Sequence, residues 1–185
     1  MLSHLNLALI TAVLFCIASF ATAGDPAQAT PPAPFLDFGA CPFEECVYRN
    51  WVAKDLVTLR TERRADAPIA YKIRKGERVR AMTGVVVTTK PGTVRFQRTV
   101  DINHGSGTLH LKPGQTLYLL TYQGEGFTKA WFEGKLYTSV DYSAFSWGTA
   151  QKPQSVWWVK VRNAAGQVGW TDEPDKFDGK EALCK

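Results

Sequence analysis

Apolar residues recur at every second position in several short stretches of the chain, and no long stretch sustains the spacing of a helix. Val57 and Leu59 alternate with polar neighbours, and so do Ile69, Tyr71 and Ile73, after which Lys75-Gly76-Glu77 predicts a turn. Val79 to Val87 returns as a second, less regular apolar run. In the next strong signal Leu117, Leu119 and Thr121 share one face while Tyr118, Leu120 and Tyr122 share the other, which predicts a strand covered on both sides. Two hairpins follow, Trp131 to Tyr137 about Gly134 and Trp157 to Trp170 about a longer Gly-bearing turn. The acidic stretch Asp172 to Ala182 is short and is expected to be irregular. The pattern predicts an all-β fold.

Composition narrows the organisation. In 185 residues, 45% are hydrophobic and 12% aromatic, with 15 Gly and 10 Pro, which excludes a disordered chain, a collagen or a coiled coil. One ordinary domain or two very small ones fit this length. The first 23 residues carry no Asp, Glu, Lys or Arg; Leu7 to Phe20 is mostly apolar, and Ala21-Thr22-Ala23 offers small residues to a signal peptidase. Residues 1–23 therefore read as a cleaved secretory signal, residues 24–34 as a Pro-rich tether and residues 35–185 as the folded part. No later segment is apolar enough to span a bilayer, so no integral membrane segment is expected after cleavage and the location is periplasmic or extracellular.

An oxidising compartment makes Cys41, Cys46 and Cys184 candidates for one disulfide. Chain ends of compact domains often lie together, so a clasp from Cys41 or Cys46 to Cys184 is expected, with a short Cys41–Cys46 loop as its rival.

Leu56-Val57-Thr58-Leu59-Arg60, the Ala67-Pro68 step and Lys75-Gly76-Glu77 resemble the opening of a bacterial SH3-type (SH3b) domain. Trp158-Val159-Lys160-Val161 followed by Gly166-Gln167-Val168-Gly169-Trp170 resembles its closing hairpin. The resemblance implies an SH3-like barrel and a binding part, often attached to a cell-wall enzyme. Between the two ends, 78 residues separate Val79 from Trp158, so residues of about 80–157 form an insertion. Lys112-Pro113-Gly114 loosely echoes Lys75-Gly76-Glu77, and the insertion either enlarges the barrel or holds a second small SH3-like barrel.

Candidate chemistry is sparse. Cys46 with His104 or His110 makes a poor peptidase pair, because Cys46 stands in an extended, Pro-containing segment. The His104-Gly105 pair lacks the downstream Ser-x-Gly-Cys element of an L,D-transpeptidase. Asn103 to Gly107 reads as an exposed turn, so His104 and His110 with Asp101 and Asp141 do not predict a metal site. Glu125 and Glu133 are not a defined acid pair, and no phosphate loop is present. No catalytic residue and no cofactor are assigned.

Charge is more informative. The formal +5 divides unevenly: Arg60 to Arg98 holds 11 Lys or Arg against Glu62, Asp66 and Glu77. Such a face suits an anionic partner, and export argues against nucleic acid. Tyr71, Trp131, Trp147, Trp157, Arg74 and Arg78 are the candidate ligand contacts, with Trp157 expected to face outward if Trp158 faces the core. The reading is a non-catalytic, exported module that binds a peptide or glycan of the cell wall. Its rivals are a structural subunit contacting another exported protein and, more remotely, a wall hydrolase.

Overall fold

The computed structural model describes residues 29–182 and is all-β, with no α-helix among them. Short strands β1 (Phe35–Phe38), β2 (Asn50–Ala53), β3 (Val57–Arg60) and β4 (Ile69–Ile73) lead into the 13-residue β5 (Arg78–Lys90). The chain then builds β6 (Gly92–Phe96), β7 (Val100–His104), β8 (Gly107–Leu111), β9 (Thr116–Gly124), β10 (Phe127–Phe132) and β11 (Lys135–Asp141). A 3-10 turn over Tyr142–Trp147 precedes β12 (Gly148–Gln151), and β13 (Gln154–Arg162), β14 (Val168–Thr171) and β15 (Phe177–Asp178) close the fold. No helix of the described residues is long and apolar enough to cross a membrane.

The first sheet runs β15-β2-β5-β13-β14-β3-β4 and curls as a half-barrel. The length of β5 explains its plan. One edge of β5 takes β2 at Arg78 to Arg80 and β1 at Val85 to Thr88, while the other pairs with β13 from Arg80 to Lys90. Inward side chains of these strands (Trp51, Val57, Leu59, Ile73, Val79, Val159, Val161 and Phe177 among them) form one core. Alternation places each of them two residues from the next on its strand.

The insertion is an extension of the β5/β13 ribbon. Lys90 pairs with Gln154, and immediately beyond, Thr93 of β6 pairs with Gln151 of β12. Pro91 and Pro153 stand at the junction, where each lacks the N–H that a continuous ladder would need. Past it the ribbon joins a second sheet, β11-β10-β9-β6-β12, and the β7–β8 hairpin packs on the same core. That core, from Val94 to Phe145, shares no residue with the first. Leu117 and Leu119 point into it while Leu120, on the other face of β9, is also buried, so β9 is covered on both sides. Thr88 Oγ1 donates to the Leu120 carbonyl at 3.0 Å and ties the two units.

The echo between Lys75-Gly76-Glu77 and Lys112-Pro113-Gly114 is an echo of turn geometry. Gly76 and Gly114 both adopt left-handed φ, +85° and +86°, a region that glycine enters without strain. Each donates its N–H to a carbonyl of another segment, Ala53 and Phe96 respectively. The second turn connects β8 to β9.

Two expectations change. The disulfide closes between Cys41 and Cys46, with Cα atoms 5.5 Å apart, and not as a clasp to Cys184, which lies outside the described residues. The two ends of the fold do meet, but through backbone: Cys46 bridges Glu181, and Val47 N–H donates to the Lys180 carbonyl at 2.8 Å. The acidic end is largely irregular, and its one 3-10 turn, over Pro174–Lys176, delivers Phe177 to Ala53 as the two-residue β15. Part of the tether is also seated: Pro31 is buried, and the Ala29 carbonyl accepts the Trp131 indole N–H at 2.9 Å. The predicted signal, residues 1–23, lies outside the described residues.

Candidate functional site

Of the six candidate ligand contacts, the five whose side chains are described do not converge. Tyr71 faces the first core, and its hydroxyl donates to the Val161 carbonyl at 3.1 Å. Trp131 is engaged by Ala29. Trp147 ends the 3-10 turn, and its side chain lies outside the described residues. Arg74 is exposed beside the Gly76 turn, where its carbonyl accepts the Glu77 N–H at 3.1 Å.

Trp157 does point away from Trp158, but it points into the first core's aromatic end and not to solvent. The Cys41–Cys46 loop folds over it: Phe43, Trp51 and Tyr48 ring centres lie 5.6, 6.2 and 6.4 Å away. The indole N–H donates to the Ala40 carbonyl at 3.1 Å, and the Tyr48 hydroxyl donates to the same carbonyl. Gly84 makes room for this lid, because a Cβ there would overlap the Tyr48 hydroxyl and the Trp157 indole nitrogen. Trp158 is buried too, so both faces of β13 are covered at this level.

Burial sets the titration of two phenols in this core. It pushes Tyr71 from 10.0 to about 12. Burial also pushes Tyr48 to about 12, with the Trp157 hydrogen bond opposing and the Asp37 charge adding. Raised values mean that the fold favours the neutral phenol. Stability is therefore intact below pH 10 and is lost progressively as pH rises from about 10 to about 12. The Tyr71→Phe variant is expected to lose less stability across that window, as followed by urea denaturation at stepped pH. An equal loss would show that Tyr71 does not supply it.

Arg78 is the exception among the six, because the fold gives it company. Arg78 and Arg80 stand two apart on the outer face of β5, and the register sets Arg162 of β13 directly opposite Arg80. On the other side Asn50 of β2 pairs with Arg80. With the turn residues Asn163, Ala164 and Gly166 they line an open groove of about 490 Å³. None of the three guanidiniums has an acidic partner among the described residues. Like charges directly opposite on a sheet oppose folding by up to about 1 kcal/mol, so the cluster is not a device of stability.

The same outer face continues through aromatic and cationic positions. Lys160 pairs with Trp170, and Trp170 with Arg60. Lys160 Nζ stands over the Trp170 ring at 5.6 Å, and the Arg63 guanidinium stands over it at 5.3 Å. A curved sheet thus presents cations from β5, β13 and the β3–β4 loop on one surface. Arg80, Arg162 and Trp170 were missed in the sequence because their grouping depends on the pairing of distant strands. The one signal that pointed there was the excess of Lys and Arg between residues 60 and 98.

Elsewhere the polar clusters are local. His110 Nδ1 meets Asp101 Oδ1 at 2.7 Å across the β7–β8 hairpin, and His104 packs edge-on to Tyr137. No group of three His, Cys, Asp or Glu stands ready for a metal among the described residues. No family model, no curated protein and no solved structure matches this chain.

Proposed function

We propose that this chain is an exported, non-catalytic binding module of SH3b type that holds an anionic component of the cell wall, a peptide or glycan, on the outer face of its first sheet. The observation that carries the reading is the placement of Arg80 opposite Arg162 beside Arg78, without acids to neutralise them. Arginine forks match carboxylates two N–H groups at a time, and a peptide offers carboxylates at its C-terminus and on its acidic side chains. The basic surface also steers an anionic polymer toward the module.

Retention on purified peptidoglycan tests this. The wild-type chain should be retained at low salt and released by about 0.3 M salt, where charges more than a few ångströms apart are screened. The Arg78→Glu/Arg162→Glu variant should be retained at least about tenfold less, since it replaces attraction with repulsion at the same place. Equal retention of variant and wild type, or none at low salt, would overturn the proposal. Release of soluble fragments from the same material would instead mark a hydrolase.

A further inference from the structure

On the same outer face, a second groove of about 510 Å³ runs between β1 and the β3–β4 loop. Its lining combines Pro34, Leu36 and Val87 with Trp170, Arg63 and Arg64. The two arginines differ in state. Arg64 is already neutralised, by Glu62 at 3.4 Å and Asp66 at 3.5 Å. Arg63 has no acid or carbonyl partner among the described residues; its guanidinium stands over the rings of Phe38 and Trp170, 5.3 Å from each centre. Ring contacts of this kind fix the plane of a guanidinium and consume none of its five N–H donors. A half-buried, oriented and unpaired fork beside an apolar floor is a receptor for a planar oxyanion that carries an apolar group.

We propose that this groove binds the C-terminal carboxylate of a peptide, with Arg63 taking the carboxylate and Leu36, Val87 and Pro34 taking the small apolar side chain next to it. The proposal names a ligand group for the face described above and rests on that reading only in taking a wall peptide as the source. Charge favours a carboxylate over any cation here, because the one acid lining the groove, Glu62, is held by Arg64. Leu36 and Phe38 support an apolar neighbour, being 38% and 67% exposed on the same strand.

The test is an NMR titration of the full chain with a short N-acetylated peptide ending in alanine, as the free acid and as the amide. The acid should bind at least about tenfold tighter than the amide, the loss expected when a charge-assisted pair is removed. Arg63→Lys keeps the charge but loses the planar fork, and should erase most of that preference. Equal affinity for acid and amide, or an Arg63→Lys chain that discriminates like the wild type, would overturn the proposal. The Arg78→Glu/Arg162→Glu variant separates the two readings. It should lose wall retention while keeping the acid-over-amide preference.

Discussion

Replacing Lys129 with methionine should destabilise the protein by about 3–5 kcal/mol, a large part of the stability of an ordinary domain. Lys129 on β10 of the inserted unit reaches Asp37 on β1 of the first, Nζ to Oδ1 2.6 Å. The Asp37 side chain is only 6% exposed, and its second oxygen has no hydrogen-bond partner. With the ammonium gone, a buried carboxylate would remain without its ion-pair partner. The double variant Asp37→Asn/Lys129→Met is the informative control. It removes the charge along with its partner and should recover at least half of the loss. Urea denaturation of the two variants and the wild type measures both quantities. A single-variant loss below about 1 kcal/mol would show that water reaches Asp37 after all.

The second large effect is expected at Trp51. This side chain is fully buried where the first core meets the Cys41–Cys46 lid, with Phe177, Tyr48 and Trp157 ring centres at 5.7, 6.0 and 6.2 Å. Its indole N–H donates to the Val47 carbonyl at 3.1 Å. Trp51→Ala should cost about 3–5 kcal/mol, because it leaves a cavity among three rings that are held by their own hydrogen bonds and strand pairings. Trp51→Phe keeps much of the volume and should lose clearly less. The same denaturation experiment decides, and equal losses for the two variants would assign the effect to the indole hydrogen bond instead of packing.

Local patterns were readable in the sequence, and long-range pairings were not. The alternation of Val57 and Leu59, or of Tyr71 and Ile73, reports a strand with one side buried, because each residue's face follows from its neighbour's. The Gly76 turn was readable for a similar reason, as a local conformational demand. Trp157 shows where this reasoning ends. Alternation correctly sends it to the opposite side from Trp158, but only the Cys41–Cys46 loop decides that this side is covered as well. Arg80 and Arg162 are 82 positions apart and become neighbours through register alone. Asp37 and Lys129 are likewise separated by 92 positions. Nearness of the chain ends favours a terminal clasp over its Cys41–Cys46 rival in the sequence, but backbone bonds from Val47 to Lys180 achieve that nearness instead.

The interrupted ribbon also bears on how the chain reaches its native state. Pairing Lys90 with Gln154 brings together positions separated by the entire inserted unit, and non-local pairings of this kind slow β proteins. The β6–β12 pairing relieves the problem. Once Thr93 and Gln151 are paired, the ends of the inserted unit are already side by side, and the remaining closure is that of a short loop. The inserted unit thereby closes the β5/β13 ribbon at the prolines as a turn closes a hairpin.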